Sequence, residues 1–212
     1  MILLEEKYIL EYIKDILSTY KESTISIKDK YHHNSSYENA LSILKYGILS
    51  VKDITKLNIH DYSKVLNSFE NDDFHVNGND GISLAIMGLQ DLYRDEMEYD
   101  ARNKELVDFL VSDDVEARRN TFNYGNEFVT FKPITLDKIK SLDIRILRLI
   151  QEGKFTNLNE LNSLIAKFNY LKELASLIET SHLNIPMREM SEEGNTYLNI
   201  NSLARMPKVK IK

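Results

Sequence analysis

Apolar residues open the chain at the spacing of one helix face: Leu4, Tyr8, Ile9, Tyr12, Ile13, Ile16, Leu17 and Tyr20. The pattern predicts an amphipathic helix from Leu3 to about Tyr20. Ser23-Thr24 breaks it, and Ile25-Ser26-Ile27 reads as a short extended piece. Lys28 to Asn34 reads as a strand that ends in two histidines. Ser35 and Glu38 then form a Ser-x-x-Glu capping box at a helix start. Tyr37, Ala40, Leu41 and Leu44 share a helical face, and Gly47 stands where a left-handed C-terminal residue is wanted.

Further along, residues 51–70 predict one or two short helices, and Asn71-Asp72-Asp73 is a polar break. Phe74-His75-Val76 is extended. The dipeptides Asn77-Gly78 and Asp80-Gly81 favour turns because both accept positive φ. Ile82-Ser83-Leu84-Ala85-Ile86 alternates like a strand. Residues 88–105, rich in acids and tyrosines, predict a helix. Leu106 to Val111 is a strand candidate with a helix as the alternative. Residues 113–123 are polar without apolar periodicity and read as a loop or short helix. Asn126 to Ile134 predicts a strand, with Pro133 marking its end. Thr135 to Ile139 predicts a short capped helix, followed by the extended piece Leu142 to Ile146. Leu158, Leu161, Leu164, Ile165, Phe168, Leu171, Ala175 and Ile178 form a long helical stripe that starts at an Asn157-x-x-Glu160 cap. Residues 184–212 read as an irregular tail with short extended pieces.

Composition narrows the class. The chain has 212 residues, 42% hydrophobic and 28% charged, which is ordinary for a folded globular protein. No apolar run is long enough to cross a bilayer. Glu5 and Glu6 lie where a signal peptide needs a basic region, so a cytoplasmic location is expected, without a membrane partner. Cysteine is absent, which excludes disulfides, thiol nucleophiles and cysteine-ligated zinc. The five histidines include no His-x-x-x-His pair, so no metal is expected. A net charge of -6 lacks the basic surplus of a general nucleic-acid binder. Two local basic groups, Arg118-Arg119 and the tail Arg205, Lys208, Lys210 and Lys212, fit solvated surface charge.

Three separated segments carry the candidate chemistry. Tyr31-His32-His33-Asn34-Ser35 precedes the helix end Ile43-Leu44-Lys45-Tyr46-Gly47. The second is Gly81-Ile82-Ser83-Leu84-Ala85, and the third is Asn126-Glu127-Phe128-Val129-Thr130-Phe131. Cleaving a nicotinamide–ribose bond develops positive charge on the sugar. A site for it must grip the ribose and nicotinamide, offer a negative group and control water. Residue type alone also allows plain readings: a hydrogen-bonded histidine, a capping Ser35, a small strand residue at Ser83 and a solvated Glu127.

In order and local context the three segments resemble the ADP-ribosyltransferase superfamily. The similarity is to the group with a histidine, a tyrosine-like position and a glutamate, as in poly(ADP-ribose) polymerase-like and bacterial nucleic-acid-modifying members. It covers roughly residues 28–146. Gly81 to Ala85 is similar to the family's Gly-x-Tyr-Phe-Ala motif, and Asn126 to Val129 to its Asn-Glu-Tyr-x-Val motif. The resemblance implies that His33 hydrogen-bonds an NAD ribose hydroxyl. It implies that the Asn34 backbone holds the nicotinamide amide, and that Ser35 supports the ribose or the amide. Glu127 would stabilise the oxocarbenium. Which of His32 and His33 faces the cleft is a matter of strand parity. Position 83 is Ser where polymerase-like members have Tyr, so Tyr93, Tyr99 or Tyr124 would replace the stacking ring, or the pocket is built differently. That departure favours single ADP-ribose transfer over chain elongation. Arg118 and Arg119 would meet NAD phosphates or a nucleic-acid acceptor, or stay solvated.

The resulting expectation is an α+β fold: a split, mainly antiparallel sheet around an NAD cleft, with flanking helices and a helical C-terminal extension. Residues 1–150 would form the transferase-like domain with its N-terminal helix, and residues 151–212 an extension and tail packed on it. The expected activity is transfer of ADP-ribose from NAD, without a metal, to a protein, RNA or DNA acceptor, in a toxin, phage or defence setting. Two rivals stand beside it. One is an NAD glycohydrolase or RNA 2'-phosphotransferase-like enzyme, and the other is a non-catalytic nucleotide- or protein-binding module.

Overall fold

The computed structural model describes residues 1–17, 31–59, 80–85, 106–119, 127–144, 146, 157–191 and 194–212. The expected helices within 60–70 and 88–105, and the extended pieces at 25–27 and 74–76, lie outside the described residues.

In chain order the elements begin with strand β1 (Ile2–Leu4) and helix α1 (Glu6–Leu17), then β2 (Tyr31–Ser36), α2 (Tyr37–Tyr46) and α3 (Val51–Lys56). Strands β3 (Ile82–Ala85), β4 (Leu106–Val111), β5 (Arg118–Arg119) and β6 (Glu127–Thr130) follow. A 3-10 turn (Leu136–Lys138) leads into β7 (Ile139–Ile144), and α4 (Leu158–Thr180) comes next. The chain ends with β8 (Met187–Ser191), β9 (Gly194–Tyr197), α5 (Ile200–Arg205) and β10 (Val209–Ile211). The fold is mixed α+β with a mostly antiparallel sheet, and among the described residues no helix is long and apolar enough to cross a membrane.

Two compact units divide the chain. One is continuous, Ile27–Lys140; the other combines Met1–Ser26 with Ser141–Lys212. In the continuous unit the strand order is β5-β6-β3-β2-β4, with every recorded pairing antiparallel. Its core is made by Val107, Phe109 and Val111 of β4, Ile82 and Leu84 of β3, and Ala40, Ile43 and Leu44 of α2. Helix α2 stops at Gly47, whose N–H bonds the Ile43 carbonyl at φ +83. A Cβ there would stand 2.4 Å from the Ile134 carbonyl oxygen. Glycine therefore permits both the positive φ and the Ile48–Ile134 bridge beside it.

In the discontinuous unit, α4 supplies a buried stripe from Leu161 to Ile178, and Ile9, Ile13 and Leu17 line the buried face of α1. Tyr12 and Phe168 meet edge-on with ring centroids 6.4 Å apart. Asn157 caps α4 by accepting from the Asn159 and Glu160 N–H groups, both at 3.0 Å. Strands β7 and β8 are parallel, β8 and β9 antiparallel, and β1 pairs in parallel with β10. Asn169 of α4 satisfies both backbone groups of Val209, donating to its carbonyl at 3.0 Å and accepting from its N–H at 2.9 Å.

Several sequence expectations need correction. Leu3 and Leu4 belong to β1, because their backbone pairs with β10; the helix starts at Glu6. The cap of α2 is Ser36, whose Oγ accepts from Asn39 N–H at 3.2 Å, while Ser35 is a buried strand residue opposite Val107. Arg118–Arg119 is a strand within the segment read as loop or helix, because both residues pair with β6. The segment read as an irregular tail with short extended pieces carries the short strands β8, β9 and β10 and, unexpected from the sequence, the helix α5. Leu158 is exposed and does not join the α4 stripe's buried face.

Candidate functional site

The site residues of the continuous unit are set by β2 and its neighbours. Across β2 and β4 six consecutive pairs are in register, from Tyr31↔Val111 to Ser36↔Leu106. Across β2 and β3 one pair is recorded, His32↔Ala85. Across β3 and β6 the register runs from Ile82↔Thr130 to Ala85↔Glu127. One cross-sheet row therefore joins position 127 to Ala85, His32 and Leu110. Two interstrand spacings separate the Cα positions of 127 and 32, about 10 Å.

Opposed residues share a sheet face, and successive residues alternate. This parity sorts the candidates. His32, Asn34, Ser83, Ala85, Asp108, Val129 and Arg118 fall on one face, the face of register position 127. His33, Ser35 and Arg119 fall on the other, with Phe109, Leu84 and Phe128. The rings of Tyr31 and Phe128, both of that second face, lie 5.4 Å apart, in agreement with the sorting.

The two histidines are held differently. His32 Nδ1 lies 2.6 Å from Asp108 Oδ2, and both residues are buried. A carboxylate oxygen accepts, so Nδ1 carries the hydrogen. His33 Nδ1 donates to the Ser83 carbonyl at 3.0 Å, bridging β2 and β3 beside the registered pair His32↔Ala85. Burial pushes the His33 pKa below its ordinary value; the Ser83 carbonyl and the Asp108 charge oppose the shift without cancelling it. His33 is therefore neutral at pH 7, with its tautomer fixed by a backbone group.

Two oxygens on the polar face stand out. Asp108 Oδ1 and Asn34 Oδ1 are buried and have no hydrogen-bond partner, and the two residues face each other in register on β4 and β2. Buried acceptors left unmade cost about 1–3 kcal/mol each, so their survival calls for a reason. Asp108 is the residue that sequence reading missed. Its signal was present: a carboxylate in the middle of the apolar run Leu106 to Val111.

The arginines diverge. Arg118 places its guanidinium 4.6 Å from the Phe131 ring centroid, and both side chains are exposed. Arg119, also exposed, is registered with Phe128 on the opposite face. Of the remaining candidates, Tyr93, Tyr99 and Tyr124 lie outside the described residues, and Glu127 is located by its backbone register alone.

No family model, curated protein or solved structure matches the chain.

Proposed function

We propose that the chain is an NAD-dependent ADP-ribosyltransferase that moves single ADP-ribose units to a protein or nucleic-acid acceptor. The observation that carries the reading is the register row of Glu127, Ala85 and His32. A glutamate and a histidine brought to one sheet face, with only an alanine between them, suit a reaction that needs a carboxylate and a hydroxyl-binding imidazole. Asn34, Ser83 and Arg118 share that face.

The chemistry assigns a part to each group. The bond from the ribose C1' to nicotinamide nitrogen breaks, and its electron pair leaves with nicotinamide. Glu127 stabilises the positive charge that grows on the sugar. An acceptor nucleophile then bonds to C1' and gives up its proton to solvent water. His32 takes the ribose-binding role, and His33 holds β2 to β3 through the Ser83 carbonyl. Arg118, an exposed cation backed by Phe131, is the phosphate- or acceptor-facing arginine.

The test is nicotinamide release from NAD, followed with and without protein lysate, RNA or single-stranded DNA as acceptors. Glu127→Gln is expected to lose about a hundredfold in rate or more. Release that needs no acceptor and labels none would make the chain an NAD glycohydrolase. Binding of NAD without turnover, unchanged in Glu127→Gln, would make it a binding module and end the transferase reading.

A further inference from the structure

The polar face holds a cluster that the histidine and glutamate do not account for. We propose that Asp108 and Asn34 form, beside His32, a recognition pair for neutral hydrogen-bond donors of the substrate. Those donors are the hydroxyls of the nicotinamide ribose or the carboxamide N–H of nicotinamide. The proposal rests on the NAD reading above and names the residues that would hold the substrate on that face.

Three observations converge. First, Asp108 is fully buried and uses only one oxygen on His32, at 2.6 Å. Its other oxygen has no partner. Second, the facing residue Asn34 also presents a buried oxygen without a partner. With the Asn34 amide oriented as it is, both atoms are acceptors and neither satisfies the other. Third, both lie on the face shared by His32 and register position 127, where Asn34, Ser83 and Ala85 are only half-buried. The pair thus runs from the fully buried Asp108 to the half-buried Asn34. A donor taken there is enclosed, and an enclosed hydrogen bond discriminates strongly against a ligand that lacks the donor. Asp108 has a second consequence. By holding Nδ1–H of His32 it sets the imidazole tautomer and orientation, which makes it a positioning residue for that histidine.

The experiment uses the full chain and two variants, checked for folding by circular dichroism and thermal unfolding. Long-range proton–nitrogen spectra report the His32 tautomer, and calorimetric titration with NAD reports binding. In Asp108→Asn the His32 signal is expected to move away from the Nδ1–H tautomer, with NAD binding weakened about tenfold or more. In Asn34→Leu, on the half-buried side, binding is expected to weaken about tenfold while the His32 tautomer stays. Nicotinic acid adenine dinucleotide separates the two donor sources. If the carboxamide is the donor, this analogue binds the native chain more weakly than NAD and Asn34→Leu erases the difference. If the ribose is the donor, the variant weakens both ligands equally.

Native-like NAD binding by a folded Asn34→Leu would overturn the recognition pair. So would a crystal structure with NAD bound in which the Asn34 amide donates to Asp108, or one ordered water alone fills both oxygens. An unchanged His32 tautomer in folded Asp108→Asn would overturn the positioning role. Should the native chain neither bind NAD nor release nicotinamide, the transferase reading and the recognition pair fall together, and the tautomer measurement still decides the His32–Asp108 contact.

Discussion

At the scale of single residues, His33 does the work of a backbone group. Between β2 and β3, beside the registered pair His32↔Ala85, its imidazole supplies the hydrogen bond to the Ser83 carbonyl. Burial holds its pKa below the usual histidine value near 6.5, so the folded chain resists a proton that the unfolded chain accepts. The sign follows. This contribution is intact above about pH 6.5 and is lost as the pH falls below it, until the lower folded-state pKa is reached. Urea unfolding from pH 7.5 to 5 should show stability declining with acid, and His33→Gln should flatten that part of the profile. A profile identical in the variant would mean that the buried imidazole does not couple to folding. Residue chemistry alone pointed to both histidines, but could not choose between them. Strand parity separates them, with His32 on the face of register position 127 and His33 on the other, and parity depends on register, which sequence periodicity does not contain. Ser35 and Ser36 illustrate the same limit: either could cap a helix, and the last paired residue of β2 decided for Ser36.

At the scale of elements, β8 explains why part of the fold was illegible. Met187 to Ser191 lies in the segment read as an irregular tail with short extended pieces, and its Arg188 and Glu189 are both buried. Arg188 makes a bidentate pair with Asp143, Nε to Oδ1 at 2.7 Å and Nη2 to Oδ2 at 2.5 Å. The two residues are in register on parallel strands β7 and β8, and Glu189 accepts from the Ile146 N–H at 3.2 Å. A strand that buries paired charges has no hydrophobic alternation for a reader to find. Removing one partner leaves an uncompensated buried charge, so Arg188→Met should destabilise the fold by about 3–5 kcal/mol in thermal or denaturant unfolding. Adding Asp143→Leu should recover much of the loss, since a well-packed apolar pair replaces a desolvated ionic one at little cost. No recovery in the double variant would show that the pair's geometry, not its charge balance, holds the strands. Elements whose stability comes from apolar faces and caps were legible: α1, the stop of α2 at Gly47, and α4 from its Asn157 cap to its buried stripe. The two-residue strand β5 offered no periodicity at all, and its arginines are strand residues only because β6 pairs with them.

At the scale of the whole molecule, the continuous unit is inserted, along the chain, between the two parts of the other. The two ends of the chain meet in that other unit. Ile2, Leu3 and Leu4 pair with Val209, Lys210 and Ile211, and Val209 is fully buried with both backbone groups bonded by Asn169. Deleting residues 207–212 strips β1 of its partner and uncovers the Val209 site. Loss of that one side chain's burial is worth about 1.5–3 kcal/mol before the ladder is counted. A lowered melting temperature and faster proteolysis within residues 1–17 are expected. An unchanged melting temperature would show that the terminal pairing is ornamental.

That clasp also constrains biosynthesis. β1 is translated long before β10, so it emerges well before its partner exists. The inserted segment is translated complete in the interval, free to fold as domains do in order of synthesis. A stalled chain that lacks Val209–Ile211 leaves β1 with an open edge, the kind of surface on which newborn chains stick to one another.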